Sequence, residues 1–211
     1  MCPAVGVLPW GMATELILVR HAKTALNVQG MFQGHLDEPL GELGLAQARD
    51  AAPGLAALAA DALYCSDLQR ARQTAEAVAA ASGLPLHTDD RLREIHCGTW
   101  QGRTVEEVAV EFPELIELRR SGADFRRSPT GETAAELADR VTAALADIIR
   151  ANKNQRVLVV AHGLAIRVGV ARLLGMPDEF AMTIGTLKNC HYAVVSHSKR
   201  RVRLVSHNLP A

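Results

Sequence analysis

Two short apolar runs, each leading into polar residues, dominate the hydrophobic pattern of the chain. The first is ELILVRH at 15–21 and the second is RVLVVA at 156–161, with a histidine directly after it. Runs of branched apolar residues of this length are typical of strands buried on both faces of a sheet. Weaker patterns predict further strands at 61–66, 191–196 and 201–206, and an extended segment at 84–95.

Segments with apolar residues at helical spacing separate these strands. The spacing predicts helices at 42–60, 67–82, 104–120, 133–151 and 163–174, with interruptions near Pro53 and Pro113. The segment 22–39 shows no period and is predicted to be loop. Strands that alternate with helices indicate right-handed crossovers between parallel strands. We therefore expect an α/β fold of three layers, in which a mostly parallel central sheet has helices on both faces.

Length and composition narrow the class of protein. A chain of 211 residues fits one large domain, predicted over 14–211, and the apolar residues 1–13 are predicted to be a disordered leader. The 23 basic and 23 acidic residues cancel, so no charge excess points to nucleic acid. No apolar run is long enough to span a membrane. The four cysteines are scattered and form no CxxC pair, which favours a reducing cytoplasm over a disulfide or zinc scaffold.

Chemically active residues follow the strands. His21 and His162 stand at the carboxyl ends of the two main strands, where parallel sheets bind their ligands. Arg70 and Glu94 follow the next two extended segments and are expected at the same edge. Taken singly, each has an ordinary interpretation as a solvated or locally paired side chain. Arg20 is harder to explain in this way, because a guanidinium beside a buried apolar run needs a partner, and an anion is one such partner.

Together these residues predict a phosphate site. Two arginines and two histidines make a cationic cup that suits a phosphate dianion. The arginines disfavour the imidazolium form, so one histidine can act as a nucleophile while the other stabilises developing charge. A carboxyl group beside the phosphate can protonate the leaving oxygen. This chemistry needs no metal and no cofactor, and the HExxH, EF-hand, P-loop and GxGxxG patterns are absent from the sequence.

The motifs that contain these residues resemble those of the histidine phosphatase superfamily, the phosphoglycerate mutase-like proteins. They stand in the family's order as LVRHAKTALN (18–27), FQGHLDEPLGELGLAQA (32–48), SDLQRARQTAE (66–76), LREIHCGTWQG (92–102), PTGET (129–133) and VLVVAHGLAIR (157–167). The resemblance implies the phosphoglycerate mutase-like fold and a phosphohistidine formed on His21. It implies that Arg20, Arg70, His162 and the general acid Glu94 complete the catalytic set.

The resemblance also implies substrate contacts in the loops. Phosphate or substrate binding is expected at Asn27, Gln33, Gly34 and the N–H of Gly163. Candidate specificity residues, which could equally be packing or surface residues, are Met31, Phe32, His35, His96 and Cys97. Ala22 stands where the family most often has glycine, and it would strain the backbone if a positive φ were needed there.

Three functions are compatible with this family: phosphatase, phosphomutase and noncatalytic binding of a phosphorylated ligand. Mutases of the family cover the site with long insertions, whereas here only residues 121–130 lead from LRR (118–120) into the PTGET motif. This favours hydrolysis, and the presence of His21 argues against a noncatalytic domain. We expect a metal-independent, cytoplasmic phosphomonoesterase for a small phosphorylated metabolite, with a sugar phosphate or a phosphoglycerate derivative favoured. No nucleic acid or membrane is expected as a partner, and a homodimer is left open.

Overall fold

The computed structural model describes residues 13–211, so the predicted leader lies, up to Met12, outside the described residues. Within this range six strands form one sheet: β1 (Thr14–Arg20), β2 (Ala62–Cys65), β3 (Leu86–Thr88), β4 (Arg156–Ala161), β5 (His191–His197) and β6 (Val202–Pro210). The same range contains seven α-helices: α1 (Ala25–Gln29), α2 (Glu42–Ala56), α3 (Gln69–Ser82), α4 (Val105–Glu111), α5 (Leu115–Ser121), α6 (Ala134–Ala151) and α7 (Gly163–Leu173).

The strands are arranged in the order β3-β2-β4-β1-β5-β6. The first four run parallel, whereas β5 and β6 are antiparallel to their neighbours. The prediction of a mostly parallel sheet in an α/β fold is therefore confirmed. The central pair is β1 and β4, which align Leu16 with Val157 and Arg20 with Ala161. This register brings the carboxyl ends of the two strands to one edge of the sheet.

Two apolar clusters lie on opposite faces of the sheet. Because successive strand residues point to opposite faces, Leu16 and Leu18 of β1 join one cluster while Ile17 and Val19 join the other. Helices α6 and α7 supply the first cluster, and the alanine-rich helices α2 and α3 supply the second. The sheet is thus covered on both sides, as the three-layer prediction required.

Two local predictions about helices need correction. Helix α2 continues through Pro53 instead of breaking there, and it ends at Ala56. Pro53 is exposed, while Ala52 and Leu55 beside it are buried against the sheet, so packing of the inner face outweighs the lost N–H donor. The predicted loop 22–39 contains α1, a five-residue helix too short to show a period.

The predicted interruption at Pro113 is confirmed, because α4 ends at Glu111 and α5 begins at Leu115. Short 3₁₀ turns at Asp90–Leu92 and Gly98–Trp100 carry the chain from β3 toward α4, past the predicted acid Glu94. No helix in residues 13–211 is long and apolar enough to cross a membrane.

Candidate active site

The two histidines at the strand ends lie side by side. The N–H of His21 continues the β1–β4 ladder by donating to the carbonyl oxygen of Ala161 at 3.0 Å. His162 then occupies the N-cap position of α7, where the chain leaves the sheet. The ring centroids of His21 and His162 are 5.1 Å apart, and both side chains are buried.

Neighbouring groups fix the protonation of His21. Its Nδ1 lies 2.7 Å from the carbonyl oxygen of Ala22, which can only accept, so Nδ1 carries the hydrogen and Nε2 keeps its lone pair. Burial and the positive charge of Arg70 hold the pKa of His21 well below its usual value of 6.5. The same two causes lower the pKa of His162. The neutral His21 can therefore offer Nε2 as a nucleophile.

The alanine after the nucleophile fits without strain. Ala22 does not adopt a left-handed backbone, so glycine is not required at this position. Its N–H donates to Thr74 Oγ1 of α3 at 3.0 Å, and its methyl group joins the apolar cluster under α2 and α3. The loop after β1 is thereby held to the helix that carries Arg70.

Two arginines lie beside the histidines without a salt-bridge partner in the described part of the chain. Arg70 is 1% exposed and donates to the carbonyl oxygens of Leu36 and Gly34, at 2.7 and 2.8 Å. Arg20 donates to the carbonyl oxygen of Leu187 at 2.7 Å. The Nε atom of each arginine is buried and has no protein partner among residues 13–211. Burial lowers the pKa of Arg70 to about 10, with partial compensation by Glu94. A bound anion would supply the missing partner.

The side-chain amides of Asn27 and Gln33, in the first loop, line the same pocket as the arginines. Thr24 caps α1 by accepting the N–H of Asn27, and its hydroxyl donates to Gln33 Oε1 at 2.9 Å. The Asn27 Oδ1 accepts the N–H of Thr24 at 3.1 Å. Since both amide oxygens are occupied, the NH₂ groups of Asn27 and Gln33 are the parts left to donate to a ligand.

Glu94 is held at the start of α7. Its Oε2 accepts the N–H of Leu164 at 3.0 Å, and its Oε1 accepts the N–H of Ala165 at 3.1 Å. The N–H groups of the two residues after Gly163 thus bind this carboxylate, and the predicted contact of the Gly163 N–H with phosphate stays a prediction. These contacts place the Glu94 carboxylate at the N-terminal end of α7, close in space to His162.

Sequence reasoning missed the ion pair that supports Glu94. Arg140 of α6 donates to the main-chain carbonyls of Arg93 and Glu94 at 2.7 and 2.6 Å. It also forms a bidentate pair with Glu132, at 2.8 Å for each contact. An arginine placed three residues after the buried Leu137, on the apolar side of α6, was the available clue.

Most of the predicted residues surround one cavity of about 190 Å³. Ile95 and Leu164 complete its wall. The predicted site residues that line it are Arg20, His21, Asn27, Met31, Phe32, Gln33, Gly34, Arg70, Glu94 and Cys97. Burial raises the pKa of the Cys97 thiol to about 12, so this residue contributes a neutral, apolar wall.

Four predicted residues do not line this cavity. His162 packs against His21, and Gly163 is close enough to Arg20 that an added Cβ would lie 3.5 Å from the Nε atom. His35 and His96, which are candidates for specificity, contact the main chain: His35 Nε2 lies 2.7 Å from the Glu94 carbonyl and His96 Nδ1 lies 3.0 Å from the Thr130 carbonyl. The structure therefore gives these two histidines a role in holding loops.

The fold agrees with the comparison to known proteins. The family model of the histidine phosphatase superfamily (branch 1) matches residues 16–210. The chain belongs to this superfamily, whose members in this comparison are named as phosphatases and phosphoglycerate mutases.

Three of the similar proteins illustrate the range of names within this superfamily. The protein named "Probable phosphoglycerate mutase GpmB" of Enterobacter sp. (strain 638) is 35% identical over 88% of this chain and 86% of its own length. A mycobacterial glucosyl-3-phosphoglycerate phosphatase, solved with VO3, is 31% identical with a TM-score of 0.86, covering 92% of this chain and 99% of its own. A histidine-to-alanine mutant of Entamoeba histolytica phosphoserine phosphatase, solved with phosphoserine, is 27% identical with a TM-score of 0.78, covering 92% and 96%.

Proposed function

We propose that the protein is a metal-independent phosphomonoester hydrolase that acts through a phosphohistidine on a small phosphorylated metabolite. The observation that carries this proposal is a neutral His21, with Nε2 free, beside two arginines whose buried Nε atoms lack a partner in the described chain. Such a pocket attracts a phosphate dianion and offers it a nucleophile at the same time. The arginines supply the positive charge that a metal ion supplies in other phosphatases.

The first step transfers the phosphoryl group. Arg20, Arg70 and the amides of Asn27 and Gln33 hold the phosphate oxygens, and His21 Nε2 attacks phosphorus as the ester bond breaks. Glu94, in its protonated form, gives its proton to the leaving oxygen, so that the alcohol departs neutral. His162 lies against His21 and stabilises the charge that develops on the phosphoryl oxygens.

The second step releases phosphate. Glu94, now a carboxylate, accepts a proton from water while the water oxygen attacks phosphorus. The P–N bond breaks, its electron pair returns to His21 Nε2, and inorganic phosphate leaves. The net change is hydrolysis of one ester bond, with both catalytic groups restored. A sugar phosphate or a phosphoglycerate derivative is the favoured substrate, and the glucosyl-3-phosphoglycerate phosphatase neighbour supports the second of these.

The test is phosphate release from a panel of phosphorylated metabolites in EDTA, with wild type beside His21→Ala. We expect wild type to release phosphate. The kcat of His21→Ala should be at least about 10³-fold lower, while its melting temperature stays close to that of wild type. A brief pulse with labelled substrate should leave an acid-labile phosphoryl group on wild type only. Activity that EDTA removes and added metal restores would contradict the proposal.

A phosphoglycerate mutase is the second candidate, because a relative 35% identical to the chain bears that name. A mutase must keep its phosphohistidine away from water, and here only residues 122–133 connect α5 to α6. ³¹P NMR distinguishes the two functions: a mutase interconverts 2- and 3-phosphoglycerate, whereas the proposed hydrolase yields inorganic phosphate.

A further inference from the structure

A second, larger cavity of about 750 Å³ adjoins the phosphate pocket. Phe32, Ile95, Cys97 and Leu164 line both cavities, so the two spaces share one wall. If phosphate occupies the smaller space as proposed above, the rest of the ester extends toward the larger one. The walls of the larger cavity should therefore show what kind of leaving group the protein accepts.

Arg167 of α7 lines this cavity and forms no salt bridge among the described residues, although the charge of Glu94 acts on it and raises its pKa against the lowering by burial. Its Nη1 lies 3.1 Å from the Sδ of Met182, and its Nη2 donates to the hydroxyl of Thr186. Its Nε is buried and has no protein partner within residues 13–211. Both contacts are uncharged, although a partly buried guanidinium is strongly stabilised by a carboxylate or phosphate.

The other charges on the wall are mostly neutralised. Arg127 pairs with Asp124 at 3.0 Å, and Arg120 pairs with Glu117 at 3.0 Å. Asp178 pairs with Arg172, which is not part of the cavity lining. Three charged side chains of the wall form no ion pair within residues 13–211: Arg119, Arg167 and the exposed Glu179. Arg167 alone of these three is partly buried.

Thr186 connects Arg167 to the phosphate pocket. Its hydroxyl accepts from Arg167, and its methyl group would lie 3.3 Å from a Cβ added at Gly163. The Nε of Arg20 would lie 3.5 Å from that same Cβ. Arg167 and Arg20 therefore both lie close to Thr186, so a small metabolite whose phosphate contacts Arg20 can extend toward Arg167.

We propose that the larger cavity accepts a leaving group that carries a second anion, a carboxylate or a second phosphate, and that Arg167 is the specificity residue that binds it. This inference rests on the proposed function, since it assigns the remainder of the same substrate. The planar fork of arginine suits both anions, and Thr186 holds it in place. The substrate is then a phosphomonoester with two negatively charged ends.

The experiment compares pairs of esters that differ in the second anion. The carboxylate pair is 3-phosphoglycerate with glycerol 3-phosphate, and the phosphate pair is fructose 1,6-bisphosphate with fructose 6-phosphate. We expect wild type to favour the doubly anionic member of one pair by about 10-fold or more in kcat/KM, and Arg167→Met to remove that preference. The pair that responds identifies the anion. Arg150→Met, at a surface ion pair on α6, should retain the wild-type preference.

Variants that separate charge from shape complete the design. Arg167→Lys keeps the charge and should keep part of the preference, which also serves if Arg167→Met fails to fold. A wild type without preference in either pair would overturn the inference. An Arg167→Met variant that slows both members of each pair by the same factor would overturn it as well.

Ligand binding without turnover distinguishes this inference from the proposed function. In the His21→Ala background, 3-phosphoglycerate or fructose 1,6-bisphosphate should raise the melting temperature more than its singly charged analogue, and adding Arg167→Met should abolish the difference. If wild type hydrolyses no ester but this difference is present, the hydrolase proposal fails while the second-anion site stands. If esters are hydrolysed and the difference is absent, the reverse holds.

Discussion

Arg140 and Glu94 are joined through the main chain: the Arg140 guanidinium donates to the carbonyl oxygen of Glu94 at 2.6 Å. The same guanidinium is locked in place by two contacts to Glu132. The Glu94 carboxylate is meanwhile fixed by N–H groups at the start of α7. The proposed acid is therefore held from two sides, by α6 through its backbone and by α7 through its side chain.

Arg140→Met should loosen this arrangement without removing any group that touches substrate. We expect a loss of about 2–3 kcal/mol in the free energy of unfolding, since Glu132 loses a charged partner that is only one-fifth exposed. We also expect the substitution to slow the hydrolysis of alkyl phosphates more than that of p-nitrophenyl phosphate. Only the alkoxide leaving group depends on a well-placed acid. Urea unfolding and steady-state kinetics measure the two effects.

Arg150→Met provides the matched control on the same helix. Its ion pair with Asp147 is largely exposed, so the free energy of unfolding should change by less than about 1 kcal/mol. If Arg140→Met slowed both kinds of ester equally, its role would be limited to stability.

Glu94→Gln tests the proposed acid directly. The amide fills the same space but cannot give up a proton, so alkyl phosphates should be hydrolysed about 10²–10³-fold more slowly. p-Nitrophenyl phosphate should lose much less, because nitrophenolate leaves readily without protonation. Stopped assays across a series of leaving groups give the dependence, with the exposed Glu106→Gln as a control. Equal losses across the series would remove Glu94 from this role.

Gly34→Ala should damage the loop that orients Arg70. Gly34 has φ +53°, and an added Cβ would overlap Gln101 Oε1 and lie 2.8 Å from the Cys97 nitrogen. We expect a cost of about 2–4 kcal/mol in the free energy of unfolding, combining left-handed strain with steric overlap. Phosphate should also inhibit this variant more weakly, since the Gly34 carbonyl accepts from Arg70.

Gly83→Ala measures the cost of left-handed backbone strain without steric overlap of the added Cβ. Gly83 has φ +74° at the end of α3, and an added Cβ would meet open space. Its cost should be about 1–2 kcal/mol, which is that of a left-handed alanine alone. Equal costs at the two positions, measured by urea unfolding, would show that Gly34 does not need the room described here.

The buried histidines should make the unliganded protein sensitive to acid. In the unfolded chain a histidine takes up a proton near pH 6.5, whereas the lowered pKa values keep His21 and His162 neutral in the fold. The unfolded state therefore binds more protons, and stability falls as the pH drops below about 6.5. Between pH 6.5 and 5.5 each histidine should contribute a loss of about 1 kcal/mol.

Urea unfolding at the two pH values, in a buffer free of phosphate, measures this loss. The double variant His21→Gln, His162→Gln should lose about 2 kcal/mol less than wild type over the same interval. A pH dependence identical in the two proteins would show that the histidines bind protons equally well in the folded and unfolded states, which contradicts the prediction.

The sequence by itself determined which segments form the central strands and which residues stand at their ends. The stretches 16–19 and 157–161 within these runs are uniformly apolar, so burial on both faces of a sheet was the way to remove them from water. That placed His21 and His162 at one edge, and their motifs then implied partners for them. Pro113 also interrupted its helix as predicted, because proline lacks the N–H that a continuing helix needs.

Tertiary structure decided what these residues do for one another. Pro53 stayed within α2 because its buried neighbours gained more from packing than the helix lost. His35 and His96 bind main-chain carbonyls, and Arg140 reaches Glu94 across 46 positions of sequence. Arg167 lies beside the site although its motif gave it no role. Such pairings depend on how helices and loops are placed in three dimensions, and local hydrophobic patterns carry no information about that placement.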